Sequence, residues 1–210
     1  VSTPVTPHAS PPAAPDVDPR ALRTALGQFA SGVTVVATSD GAAVHGATVS
    51  SFTSVSLDPP LVLVSLDRRS RSCARLADAP FGVNVLAAGQ RDLALLFAGA
   101  PGRAAGAGSA WPRPEPRWEG DPRAPRLAGS AAYFGCVPWA AYDGGDHVLY
   151  VGRVVRFDAP GGEPLVFHSG ALGGFRRPAA AATAAWTGSL DGPAHGWTAD
   201  FGALGSARTA

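Results

Sequence analysis

Apolar and polar positions along this chain divide it into short β segments with a few helical interludes. Residues 33–38 (VTVVAT) are β-branched and predict the first strand, which the turn Ser39-Asp40-Gly41 ends. Strands are expected over 43–57 and 60–66, then over 81–87 (FGVNVLA), where Asn84 is the lone polar residue of an apolar run. The apolar segment 127–142 is interrupted at Gly135 and Pro138, which fits a bend or an edge position. Asp143-Gly144-Gly145-Asp146 is a hairpin signal, with 147–157 (HVLYVGRVVRF) as the partner strand and 164–168 as a last short one. Helical spacing joins Leu22, Leu26 and Phe29 behind Asp18-Pro19, an N-cap and an N1 proline, and predicts a helix over 20–30. Further short helices are expected over 70–77 and over 90–97, the latter through Leu93, Leu96 and Phe97. The sum is a mainly β domain, a closed or split β-barrel with a few peripheral short helices.

Three stretches fall outside that grammar. Residues 1–17 hold five prolines and almost no large apolar side chain, and are expected to form a disordered leader. Residues 99–125 are rich in Gly, Pro and Arg and long for a connection, which points to a lid or to disorder, with Trp111 and Trp118 arguing for some packing. Residues 177–210 are an Ala/Gly-rich tail carrying Trp186 and Trp197, with no pattern that assigns them a role. The barrel domain therefore spans 18–176.

Charge and composition exclude several classes. The formal net charge is +1 over 210 residues, so bulk electrostatics gives no reason to expect a nucleic-acid partner. All 17 basic residues are arginine, which removes a lysine-based phosphate loop and a lysine Schiff base together. Cys73 and Cys136 are far apart with no metal-ligand spacing around them, and read as reduced, structural thiols. No apolar run approaches the ~20 residues that cross a bilayer, and the N-terminus has no secretory pattern. The expectation is a cytoplasmic protein with no membrane partner.

The stretch 47–57 carries six hydroxyl residues and no formal charge. As a strand it would present Thr48, Ser50, Phe52, Ser54 and Ser56 on one face and Val49, Ser51, Thr53, Val55 and Leu57 on the other. Neither face is plain core, and neither is charged like a solvated surface. Neutral hydroxyls and main-chain amides suit a flat, apolar ligand with a polar edge, such as an isoalloxazine ring. On composition alone the favoured reading is the plainer one, a strand whose hydroxyls pair only with backbone or water. Arg68, Arg69, Arg71 and Arg75 then surround Ser70 and Ser72 where a helix is expected to begin, which makes an anion site possible at its free N–H groups.

The order GVTVV, HGAT, SFTSVSLDPPLV, DRRS, FGVNVL, GDH resembles the flavin reductase-like family, over roughly residues 21–175. The resemblance implies an FMN-binding split barrel and an NAD(P)H:flavin oxidoreductase. Such an enzyme transfers hydride from nicotinamide C4 to flavin N5 and supplies reduced FMN or FAD to a separate monooxygenase, with NADH or NADPH as donor. It implies a homodimer as well. Thr48, Val49, Ser50, Ser51, Phe52 and Thr53 would line the flavin ring, with Val33 and Thr34 beside it. Asp67, Arg69, Ser70 and Ser72 would hold the phosphate, Asn84 and Phe175 would lie near the flavin, and His147 of the GDH motif would lie near the nicotinamide. Two rivals share the barrel: an oxidase that retains its flavin, and a non-catalytic flavin- or haem-binding module. Gly170-Ala171-Leu172 replaces an aromatic GxY segment common in the family.

Overall fold

The structure, a computed structural model, describes residues 17–70, 72–99 and 114–175. Asp18 caps the first helix, α1 (Pro19–Leu26), accepting from the amides of Arg20 and Ala21 at 3.0 and 3.3 Å. Strands β1 (Ser31–Gly32), β2 (Thr34–Ser39), β3 (Val44–Val49), β4 (Thr53–Leu57) and β5 (Pro60–Asp67) follow. After β6 (Phe81–Val85) and α2 (Arg91–Phe97) come two short strands, β7 (Trp118–Glu119) and β8 (Arg126–Leu127). The long hairpin of β9 (Ala132–Gly144) and β10 (His147–Asp158) is followed by β11 (Leu165–His168) and β12 (Ala171–Gly174).

Seven strands form one antiparallel sheet in the order β3-β2-β6-β9-β10-β5-β4. Its outermost strands, β3 and β4, are consecutive in the chain and joined through residues 50–52. The sheet therefore rolls until its two edges meet at that link, which makes a split barrel. A separate three-stranded sheet, β1-β11-β12, covers one side.

The apolar pattern explains the rolling. On β5, Val62, Val64 and Leu66 alternate into the barrel, where they pack with Val36, Leu76, Phe81, Val83, Cys136 and Tyr150. β2 is buried on both faces: Val36 faces that interior, while Val35 and Ala37 pack outward with Val33, Leu86, Ala94, Leu127 and Leu165. This is why 33–38 reads as an almost unbroken β-branched run. Its two threonines are satisfied internally, Thr34 donating to the Val49 carbonyl at 3.2 Å and Thr38 to that of Pro80 at 2.9 Å. Cys73 and Cys136 are free, buried thiols, and burial pushes the Cys136 thiol up to about 12.

Several boundaries differ from expectation. The strand anticipated over 43–57 is two strands, broken at 50–52 where the chain changes partner from β2 to β5. The helix anticipated over 70–77 is a single 3-10 turn, Ala74–Ala77. The strand anticipated from 127 begins at Ala132, because Gly129 at φ 79° turns the chain after β8. Pro138 lies beyond Cys136, the last residue of β9 to pair with β6, so it occupies an edge as predicted. α1 is helical as expected but buries no residue: Leu22, Leu26 and the following Phe29 are 47, 65 and 80 % exposed. Trp111, Trp186, Trp197 and Arg71 lie outside the described residues, as does nearly all of the proline-rich leader.

Asn84 is fully buried and joins the sheet to the segment crossing it. Its Nδ2 donates to the carbonyls of Val35 and Pro125 at 3.1 and 3.2 Å, and its Oδ1 accepts from the Leu127 amide at 2.7 Å. Asn84→Leu removes three buried side-chain to main-chain hydrogen bonds and is expected to destabilise the fold by about 2–4 kcal/mol, read as a lower urea midpoint at unchanged slope.

Candidate functional site

Residue 51 is where the barrel stops being closed. Ser51 Oγ accepts from the Ser65 amide and donates to the Ser65 carbonyl, both at 2.9 Å, so one side chain takes the place of a rung between β3 and β5. Beyond that clasp the strands separate and leave a cleft of about 720 Å³. One wall is 46–51 of β3 and its link. The other is Ser65, Leu66 and Asp67 of β5 with Ser70, Ser72 and His147, and residues 96–99 at the end of α2 close one side. Among the described residues, Asp67 and His147 are the only titratable ones in this lining.

The turn after β5 is built from its own side chains. Asp67 accepts from the Arg69 amide at 2.8 Å and holds the Arg69 guanidinium bidentately, at 3.1 and 2.8 Å. Those donors keep the Asp67 carboxyl well below the usual carboxylate range. Ser70 donates its amide to the Asp67 carbonyl, while its Oγ and carbonyl accept from the amides of Ser72 and Cys73. The free helix N–H groups expected as an anion seat are therefore replaced by amides already bonded within a serine turn. Three of the four clustered arginines are also engaged: Arg68 with Asp143 at 2.9 Å, Arg69 with Asp67, and Arg75 with Asp40 at 3.1 Å.

Arg68 has a second task. Its Nε donates to the Gly145 carbonyl at 2.7 Å and its amide to the Asp146 carbonyl at 3.0 Å, fastening the β9–β10 turn to the end of β5. Gly145, at φ 77°, supplies the left-handed backbone that this turn needs. His147, the first residue of β10, thereby lies directly across the ladder from Asp67. Its Nδ1 is 2.6 Å from Asp146 Oδ1. A carboxylate only accepts, so Nδ1 carries the proton and Nε2, with no partner among the described residues, is left to a ligand.

The cleft collects Thr48, Val49, Ser50, Ser51, Asp67, Ser70, Ser72 and His147 from the residues singled out in the sequence. Others lie elsewhere. Phe52 turns into the barrel and stacks on Phe134, with centroids 5.4 Å apart. Thr53 is exposed and bonds the Ser54 carbonyl at 3.3 Å. Thr34 and Asn84 are buried structural links, Arg69 points outward from the Asp67 pair, and Phe175 is 53 % exposed away from the cleft. Val33 lines a second, apolar groove of about 230 Å³ with Leu95, Phe167 and Leu172, which shares residues 48–50 and Ala98 with the cleft.

An alcohol rim of which part is already bonded must still have room for a tricyclic ring. Thr48 donates to the Ala94 carbonyl at 2.7 Å and Ser51 is spent on Ser65, but Ser50 makes no hydrogen bond to another described residue. The volume falls within the range of about 300–1,000 Å³ that cofactor-sized ligands occupy. A flavin fits this lining, which is uncharged along the 46–51 wall, half apolar, and edged with hydroxyls and amides. The family described as "Flavin reductase like domain" matches residues 26–176.

The chain belongs to the flavin reductase-like domain family. It is 41 % identical over 162 residues to an NADH-dependent flavin reductase of a Rhodococcus species, an alignment covering 75 % of this chain and 87 % of that one. It is equally 41 % identical to the FMN reductase (NADH) SmoA of Agrobacterium fabrum, over 75 % and 87 % of the two chains. Among solved structures, the NADH:FAD oxidoreductase SgcE6 of Streptomyces globisporus C-1027, determined with NAD and FAD fragments, superposes at a TM-score of 0.65. It is 36 % identical, over 81 % of this chain and all of that one.

Within this flavin reductase-like domain, sequence reasoning missed the α2 wall and Gly46. The Leu93, Leu96, Phe97 spacing announces a helix but not where its end lands. Gly46 is the signal that was available: a Cβ there would lie 2.7 Å from the Phe97 ring, which itself packs on Trp118 at 5.7 Å. Gly46→Ala is expected to cost about 1–3 kcal/mol through that clash and to weaken flavin binding. Phe97→Leu in the same chain should restore most of the stability, which a two-by-two set of thermal melts checks.

Proposed function

We propose that this protein is a cytoplasmic NAD(P)H:flavin oxidoreductase that passes reduced FMN or FAD to a separate flavin-dependent monooxygenase. The observation that carries the reading is the cleft itself, an uncharged hydroxyl and main-chain wall facing Asp67 and His147 across the split of the barrel. When bound, flavin and nicotinamide supply the hydride chemistry, from nicotinamide C4 to flavin N5. The chain's part is to position and to shield. Main chain of 48–51 and the Ser50 hydroxyl would grip the ring edge, Val49 and Leu96 would cover its apolar area, and Ser70 and Ser72 would take the phosphate end. His147, held by Asp146 on one nitrogen, would offer the other to the nicotinamide or to the ring edge where negative charge develops.

The partner part of the reading draws on relatives that are reductase components. One is the reductase component of a trigonelline monooxygenase in Acinetobacter baylyi, and another the reductase subunit HsaB in Rhodococcus jostii. A homodimer is supported by large apolar side chains left open on the sheet. Val55 and Leu57 on β4, Trp139 and Tyr142 on β9, and Val155 and Phe157 on β10 are each half exposed or more. Monomers rarely leave so much apolar surface uncovered. Sedimentation equilibrium is expected to read twice the 21.2 kDa chain mass; a single chain mass at micromolar concentration removes the dimer.

The deciding assay mixes the purified protein with FMN or FAD and NADH or NADPH and follows the nicotinamide and flavin absorbance bands. Nicotinamide consumption dependent on free flavin is expected. Flavin saturation without turnover would mean a binding module, and tightly copurifying flavin that reacts only with another reductant would mean a flavin-retaining oxidase. His147→Ala should lower NAD(P)H-dependent turnover by about 10- to 100-fold with the flavin dissociation constant changed little. Unchanged turnover takes His147 out of the mechanism.

A further inference from the structure

The two walls of the cleft meet again at a point opposite the Ser51 clasp. Asp40, in the turn between β2 and β3, places Oδ2 2.7 Å from His45 Nε2 and 3.1 Å from Arg75 Nη1. Its Oδ1 accepts from the amides of Ala42 and Ala43 at 3.1 and 2.9 Å, which fixes the carboxylate in place. His45 is on β3 next to Gly46, the first cleft residue of one wall. Arg75 is in the 3-10 turn Ala74–Ala77, three residues after Ser72 of the other wall. Between them, Cys73 lies in the barrel core, its amide donating to the Ser70 carbonyl and its carbonyl accepting from the Leu76 amide and the Tyr150 hydroxyl, which bonds the turn carrying Arg75 to the serine turn of the other wall.

We propose that Asp40 is a positioning residue for the cleft, tying the β3 wall to the Ser70 and Ser72 wall through His45 and Arg75. This rests on the reading of the cleft as a flavin site. The separation of the walls is then fixed at both ends, by the neutral Ser51–Ser65 clasp and by this ionic one. The side chains of Asp40, His45 and Arg75 are 35, 25 and 40 % exposed. Ion pairs that exposed contribute little to global stability; the effect is local, on where the Ser70 and Ser72 hydroxyls stand relative to β3.

The test uses the full chain and two single variants. Asp40→Asn keeps an oxygen for the Ala42 and Ala43 amides and removes the charge; Arg75→Gln leaves that turn untouched. With FMN and FAD in parallel as probes, both variants should raise the flavin dissociation constant and KM about tenfold, with kcat at saturating flavin within about twofold of wild type. Arg75→Lys should recover most of the loss, and the Asp40→Asn/Arg75→Gln double variant should be no worse than either single one. Wild-type flavin affinity in both singles, or losses that add in the double, would falsify the assignment. If the wild type itself binds neither flavin, the functional reading falls, and amide hydrogen exchange still decides the clasp. Faster exchange at Ser72 and Cys73 in both variants, with Val62 and Val64 unchanged, upholds it; unchanged exchange throughout overturns it.

Discussion

One serine side chain decides the shape of this barrel. Antiparallel β3 and β5 would close the sheet if their main chains paired along their length. Instead Ser51 answers both polar groups of Ser65 with a single hydroxyl, and no further rung forms between 46–49 and the end of β5. Thr48 does the equivalent on the outer side, spending its hydroxyl on the last turns of α2. Ser51 and Thr48 are thus architectural residues. They satisfy the backbone at the lips of an opening, and that satisfaction allows an opening to exist in a sheet that would otherwise lose buried hydrogen bonds there.

The far wall is governed by register. A two-residue turn between β9 and β10, stapled by Arg68, fixes which residue of β10 faces Asp67, and that residue is His147. Slipping the hairpin by one position would send His147 to the opposite face and bring Val148 to the cleft. The histidine's place is therefore secured by Arg68, Asp143 and Gly145, none of which lines the cleft.

Much of this was readable in one dimension. The β-branched 33–38 run, the Asp143–Asp146 turn signal and the lone amide at 84 each carry a local signature, and the structure gives each a physical counterpart. The break at 50–52 carries none: strand chemistry continues on both sides, and only the exchange of β2 for β5 as partner ends the first strand. The 70–77 segment misleads for a different reason. Its serines and arginines suit a helix start equally well, but Asp67 and Ser70 capture the amides first, leaving one 3-10 turn. Phe52 and Thr53, expected at the flavin ring from the resemblance, come after the chain has left β2 for β5, Phe52 turning into the barrel and Thr53 opening β4. The contribution of α2 was hidden because its contact with Gly46 is long-range.

The pairing of Arg68, Arg69 and Arg75 with carboxylates has a kinetic side. On the proposed reading, an anionic tail arriving at the serine turn would meet cations that must trade one partner for another, so the net attraction would be the small difference between two exposed ion pairs. Such a seat would fill and empty readily, its occupancy following concentration instead of holding a guest for many cycles. For a molecule that must leave in order to be useful elsewhere, a grip built on exchange sets the residence time short from the outset.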